Sequence, residues 1–265
     1  MSPMSPPPPP LVSSLVHGPS IVTDMQWFAR CDSTNAIAVR QTSGGAAQGL
    51  LVVADEQSAG RGRHGRSWVA PAGTSLLFSL VLRPVTPVTT HALLPLLTAL
   101  VLAETVERHL PDFDVALKWP NDLLVTGRKA AGILVEGVNG AVIVGVGVNV
   151  DWREVHRPDE LRDSTSLAEV AGRDVDRWRL LAGLIGIFSR RYEQWQELPA
   201  DFLDSYRRRC ATLGRRVRVE RGWRGTMLQG LATDVDSSGA LLVQSRDGQT
   251  VAVHTGDVHH LRPAD

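Results

Sequence analysis

Gly60-Arg61-Gly62-Arg63-His64-Gly65-Arg66-Ser67 is the stretch on which the fold turns. Gly60, Gly62 and Gly65 satisfy G-x-G-x-x-G, and Gly60, Gly65, Arg66 and Ser67 come close to the Walker pattern with arginine in place of lysine. Both patterns need a helix directly after the glycines, so that its N-terminus faces phosphate. Trp68-Val69-Ala70-Pro71-Ala72-Gly73 follows instead, which is poor helix material. A dinucleotide fold also needs an acidic residue about 20 positions on, and none occurs between Glu56 and Glu104. Both nucleotide-binding folds are therefore rejected. What remains is a Gly/Arg loop, read either as a solvated basic loop or as one that closes over a multiply charged anion.

Outward from this loop the chain alternates helical and extended segments. Asp32-Ser33-Thr34-Asn35 reads as a helix start, and Leu50–Ala54 and Ser75–Leu82 as buried strands. His91–Leu110 reads as a helix. Ala131–Glu136 and Ala141–Val150 are apolar runs joined by Asn139-Gly140, a strong hairpin signal. Arg179–Trp195 and Phe202–Cys210 read as helices. From Arg216 the pattern changes to period two, with Val217, Val219, Leu241 to Val243, Val251 and Val253, punctuated by Ser238-Gly239 and Asp247-Gly248. This predicts a mixed α/β domain over 21–212 and a small β-barrel, SH3-like by size and strand count, over 213–265. Residues 1–20 begin with a Ser/Pro-rich stretch and read as a disordered tail without signal-peptide regions.

Composition narrows the function. The 28 basic and 28 acidic residues cancel, so whole-chain electrostatics point to no nucleic-acid or anionic-membrane partner. The apolar stretch Ala92–Ala103 falls short of the about 20 residues that span a bilayer. Cys31 and Cys210 have no metal spacing and no framework, which makes a reduced, cytoplasmic setting the expectation. Lys118 and Lys129, eleven positions apart, are the only lysines in a chain whose other basic residues are all arginine. Lysine supplies a compact, movable charge that arginine does not imitate; codon bias is the bland explanation.

Three further constellations each have an ordinary reading. Leu117-Lys118-Trp119-Pro120-Asn121-Asp122-Leu123 puts Lys118 at an extended end, because Pro120 drives Trp119 from the helical region; otherwise it is a surface lysine beside a turn. Val144-Gly145-Val146-Gly147-Val148-Asn149 wastes packing unless something approaches the backbone closely; otherwise it is a bulged core strand. Ser33-Thr34-Asn35 either meets a polar ligand at a helix N-terminus or merely caps the helix.

Taken in order, Ser33-Thr34-Asn35, Glu56 through Arg66, Lys118 through Asp122, Arg128 through Glu136 and Gly145 through Asn149 closely resemble the biotin protein ligases. The resemblance runs from about Arg30 to the C-terminus and fits the short form without the N-terminal DNA-binding domain. It implies a catalytic domain like that of class II aminoacyl-tRNA synthetases, an α+β fold, with a small C-terminal SH3-like barrel. It implies ATP and Mg²⁺ as a substrate complex, biotin as the second substrate, and the biotin carboxyl carrier domain of an acyl-CoA carboxylase as acceptor. It also allows a homodimer.

By motif position, the resemblance assigns Ser33, Thr34 and Gln57 to the ureido ring of biotin, Asn35 to the biotin site, and Leu123, Gly145, Gly147 and Val148 to the slot for its rings and tail. Arg61, Gly62 and Arg63 would lie in a loop ordering over biotin and adenylate. Lys118 would touch the biotin carboxylate and the α-phosphate, and with Arg63 carry catalysis. Trp68, Asn121, Lys129 and Asn149 complete the nucleotide side, where no metal ligand is assigned directly and Mg²⁺ is placed near Asn149. His64 stands where the family often has arginine, and Arg262 would reach the nucleotide from the barrel. Three rivals remain: a lipoate or octanoate ligase or transferase of the same fold, opposed by the arginine loop and the Lys118 motif; a biotin-sensing repressor, opposed by the zero net charge; and a non-catalytic carrier, opposed by the retained charged positions.

Overall fold

The computed structural model describes residues 14–16, 20–157, 159–221 and 226–261. Most of the expected tail, and the expected contact of Arg262, lie outside the described residues. Within 1–20, Ser14–Val16 form a 3-10 turn, and Leu15 and Val16 pack against the main core.

Seven strands build the first sheet: β1 (Asp24–Cys31), β2 (Leu50–Gln57), β3 (Ser75–Leu82), β4 (Val115–Lys118), β5 (Asp122–Val125), β6 (Arg128–Val138) and β7 (Ala141–Asn149). Their order is β1-β2-β3-β7-β6-β5-β4. Only β1 and β2 run parallel, joined through helix α1 (Thr34–Ser43); every other neighbouring pair is antiparallel. Asn139 and Gly140 both take positive φ at the β6–β7 turn, the geometry that favours these two residues in tight hairpins.

Alternation along β7 places the site. Val144, Val146 and Val148 point into the main core, beneath helix α2 (Leu94–His109). Ala141 and Ile143 pack on the opposite face with Ile37 and Ala38 of α1. Gly145 and Gly147 continue that opposite face, and having no side chains they leave room there for Asn35 and Trp68. Pro95 sits in the first turn of α2, where its missing N–H costs nothing. Together with the 3-10 turn Val88–Leu93, this helical stretch covers 22 residues and is apolar enough to span a bilayer by length and composition, longer than the sequence suggests. Eleven residues of α2 are buried in the protein; it is the core helix, clasped by helix α4 (Arg177–Glu197). The capping box of helix α3 (Leu167–Ala171) and helix α5 (Leu203–Arg209) complete this unit.

The C-terminal unit is a five-stranded antiparallel sheet: β8 (Arg216–Arg221), β9 (Thr226–Val235), β10 (Leu241–Gln244), β11 (Thr250–Val253) and β12 (Asp257–His260), in the order β11-β10-β9-β8-β12. Val217, Val219, Leu241, Val243 and Val253 are buried in it, as the period-two pattern predicts. The two units are joined beside the Lys118 strand. Ala211 N–H donates to Leu117 O at 2.8 Å, and Trp119 Nε1 donates to Gly239 O at 3.0 Å.

Candidate active site

A partly open cavity lies where β2, β4, β5, β6 and β7 converge beside the N-terminus of α1. It collects most of the residues singled out in the sequence: Ser33, Thr34, Asn35, Gln57, Arg61, Gly62, Arg63, Trp68, Lys118, Asn121, Lys129, Gly145 and Gly147. Its two ends differ in chemistry.

One end is polar and uncharged. Ser33 caps α1, its hydroxyl accepting from Ala36 N–H at 3.5 Å. Thr34 N–H donates to Gln57 Oε1 at 2.7 Å, which leaves the Gln57 amide NH₂ in the cavity wall. The Ser79 hydroxyl lies 2.5 Å from Asn35 Oδ1 and 2.8 Å from Thr34 Oγ1. The glycines are explained by what covers them. A Cβ on Gly145 would lie 1.9 Å from Asn35 Oδ1, and one on Gly147 would lie 2.5 Å from the Trp68 indole. A Cβ on Gly132, which pairs with Gly147 across β6 and β7, would likewise lie 2.8 Å from the Trp68 indole. Close approach is therefore required, as the alternating glycines suggest, but by protein side chains that form the cavity wall.

The other end is charged. Register sets Lys118 opposite Asp122 on β4 and β5. Burial pulls the Lys118 amine below the usual lysine range, partly offset by Asp122, while Lys129 and Arg66 push it the same way as burial. Lys129 Nζ lies 2.7 Å from Asp122 Oδ1 and 5.8 Å from the centre of the Trp68 ring. Arg63 donates to Asn121 Oδ1 at 3.1 Å, to Gly256 O at 3.4 Å and to Thr255 Oγ1 at 3.3 Å; burial lowers its pKa. Asn121 in turn donates to Ile133 O at 2.9 Å.

Several expectations need correction. The loop arginines are not free: Arg61 pairs with Glu136 at 3.0 Å, Arg66 pairs with Asp257, and Arg63 is held as above. The loop contains a 3-10 turn, Arg63–Gly65, with His64 in the left-handed region at φ 54° and 3.8 Å from Asp257. Leu123 and Val148 are fully buried core residues outside the cavity lining, because strand alternation turns them to the core face. Asn149 is also outside the lining; its Nδ2 donates to Thr165 O at 2.9 Å. Asn35 lines the cavity, but Ser79 and Glu136 occupy both ends of its amide. Sequence reading missed Ser79, Asp122, Glu136, Asp257 and His259. Asp257 and His259 come from the C-terminal unit, and no local motif announces that β12 borders the cavity.

Comparison with known proteins places this geometry. The profile of the biotin/lipoate A/B protein ligase family matches residues 27–152, and that of the biotin protein ligase C-terminal domain matches residues 212–261. A biotin–[acetyl-CoA-carboxylase] ligase from Mycobacterium tuberculosis is 38% identical over 239 residues, 88% of each chain. The chain belongs to the biotin protein ligase family. Another ligase of that name, from Paracoccus denitrificans, is 35% identical, covering 84% of this chain and 95% of its own length. Among solved structures, the biotin protein ligase from Aquifex aeolicus in complex with biotin and ATP superimposes with a TM-score of 0.78 at 28% identity, covering 90% of this chain and 99% of that one. Membership of the family fits a mixed α/β unit followed by a small β-sheet domain.

Proposed function

We propose that the chain activates biotin with ATP to biotinyl-5′-AMP and transfers the biotinyl group to a lysine of a biotin carboxyl carrier domain. The observation that carries this reading is the two-ended cavity: an uncharged, hydrogen-bonding end beside Thr34 and Gln57, and a cationic end at Lys118, Arg63 and Lys129. A urea ring needs neutral donors and acceptors. A carboxylate meeting a triphosphate needs positive charge, because two anions must approach and charge grows on the non-bridging oxygens.

In this mechanism Ser33, Thr34 and Gln57 bind the ring, and Gly145, Gly147 and Trp68 shape the slot beside it. Lys118 draws the biotin carboxylate toward the α-phosphorus, and Arg63 and Lys129 neutralise phosphate oxygens as pyrophosphate leaves. Arg63 is held by Asn121, Thr255 and Gly256, so the loop and the C-terminal unit together shield the mixed anhydride from water. The incoming lysine amine then attacks the acyl carbon; an amide forms, AMP departs, and the amine proton passes to solvent. Mg²⁺, entering with ATP as part of the substrate, would add positive charge against the phosphate oxygens beside Lys118 and Arg63. Asn149, beside which the resemblance places that ion, keeps its buried Oδ1 without a hydrogen-bond partner, but its side chain is outside the cavity lining.

The division at residue 213 and a cytoplasmic setting belong to the same proposal, supported by the change of sheet after α5 and by the free thiols of Cys31 and Cys210. The test is incubation with biotin, ATP and a biotin carboxyl carrier domain, read by the mass of the acceptor. One biotinyl addition at a single lysine is expected. An acceptor that takes up lipoate or octanoate and refuses biotin overturns the reading in favour of the rival of the same fold.

A further inference from the structure

We infer that Glu136 is a positioning residue that sets the hydrogen-bond polarity of the ring end of the cavity, and so its preference for a urea. This rests on the proposed function. Glu136 does not line the cavity; it acts through Asn35, and the assignment follows proton by proton. An ionised carboxylate only accepts, so Asn35 must turn its NH₂ to Glu136 Oε2, 2.7 Å away, which faces its carbonyl to Ser79. That carbonyl lies 2.5 Å from Ser79 Oγ and takes the single Ser79 proton. Thr34 Oγ1 lies 2.8 Å from Ser79 Oγ and 3.2 Å from Gln57 Oε1, so its single proton goes to one of these two and its oxygen is left as an acceptor. Gln57 is fixed independently: the backbone N–H of Thr34 holds its carbonyl at 2.7 Å and turns its NH₂ toward the cavity.

The outcome is one acceptor, Thr34 Oγ1, beside one donor, Gln57 Nε2. A urea presents an N–H beside a C=O and matches that pair. An acid with a plain hydrocarbon or dithiolane tail offers neither group. Steric constraint keeps the relay in place, since any side chain at position 145 would strike Asn35 Oδ1. Glu136 also accepts from Arg61 at 3.0 Å, so the same carboxylate ties the arginine loop to the ring end.

Replacing Glu136 by glutamine keeps the shape but lets position 136 donate or accept, so the Asn35 amide can flip and reverse the chain. Glu136→Gln should weaken biotin binding about tenfold, the value of one well-formed hydrogen bond. Desthiobiotin, which retains the urea, should weaken by the same factor. The double variant Asn35→Asp with Glu136→Gln moves the obligate acceptor to position 35. A carboxylate there would accept from Ser79 on one oxygen and from the amide at position 136 on the other. The double variant should recover biotin affinity to within about threefold, which loss of a purely structural contact would not do. Titration calorimetry of the three proteins, with circular dichroism to verify folding, decides. Unchanged biotin affinity in folded Glu136→Gln, or a double variant no better than the single one, overturns the inference. A wild-type protein that fails to bind biotin would overturn the proposed function instead.

Discussion

The ring end and the charged end of the cavity are built on opposite principles. The ring end is set by close fit in buried strands and a helix start: Ser33, Thr34, Asn35 and Ser79 are all under 5% exposed, and Gly145 and Gly147 admit no side chain. The charged end is set by ion pairs and hydrogen bonds on half-exposed side chains, several reaching across to the C-terminal unit: Arg66 with Asp257, Arg63 with Gly256 and Thr255. The first arrangement is rigid and specific. In the proposed mechanism the second exchanges its acidic partners for phosphate. In that mechanism recognition and charge neutralisation sit at different ends of the cavity, linked by Glu136, which accepts from both Asn35 and Arg61.

The largest effect that separates the ends should come from Lys118. Lys118→Ala should lower biotin-dependent pyrophosphate exchange by roughly 10²- to 10³-fold, the range for removing a preorganised group that stabilises developing charge. Biotin binding without ATP should change far less, because the ring contacts lie elsewhere. Near-normal exchange would remove Lys118 from the mechanism, and an equal loss in both measurements would erase the distinction between the ends.

A smaller effect is expected at Arg63. A charge-assisted hydrogen bond contributes roughly 1.5–3 kcal/mol, so Arg63→Ala should release biotinyl-5′-AMP about ten- to a hundredfold faster. Stray biotinylation of a bystander protein should rise in parallel, because the anhydride reacts with any exposed amine. Wild-type release and no bystander labelling would assign the loop to substrate entry instead.

How legible each end is in the sequence follows from the same contrast. Ser33-Thr34-Asn35 and the Gly145-Val146-Gly147 alternation are local signals: a cap and a period-two gap. The structure fulfils both: Ser33 caps the helix, and the glycines make room for Asn35 and Trp68. The rejection of a helix after the glycine-rich loop also rests on local chemistry, since Trp68 through Gly73 cannot start one. The partners of the loop arginines are not legible. Asp257 is 191 residues from Arg66, and Glu136 is 75 from Arg61; no spacing rule links such positions. Leu123, Val148 and Asn149 are assigned to the site by the resemblance of the motifs in which they stand. For Leu123 and Val148 strand alternation reverses the side, and Asn149 keeps the glycine face but is covered by Thr165. Ser79 sits unmarked in an apolar strand whose polar member only tertiary structure explains.

The smallest effect concerns how the C-terminal unit supports the charged end. Trp119 N–H, next to Lys118, donates to Thr212 Oγ1 at 3.1 Å, and Thr212 Oγ1 lies 3.1 Å from His260 Nε2. Having accepted from Trp119, the Thr212 hydroxyl is free to donate to a neutral imidazole. Burial, and then the charges of Lys118 and Arg215, push His260 down to about 4 from an ordinary 6.5. The folded protein thus holds this histidine neutral where the unfolded chain would protonate it. Between pH 6.5 and about 4 the unfolded state binds the extra proton, so stability from this group is complete above pH 6.5 and is lost as pH falls through that window. His260 is half-buried, and solvent screening keeps the effect modest. In urea unfolding at about pH 7 and about pH 5, which bracket the ordinary histidine value, the wild type should lose more stability on acidification than His260→Gln, whose amide oxygen accepts from Thr212 at either pH. The neutral-pH values of the two proteins should lie close together. Parallel losses would mean that His260 titrates normally and that the Lys118 strand end does not depend on a neutral histidine; a larger loss in the variant would reverse the sign of the coupling.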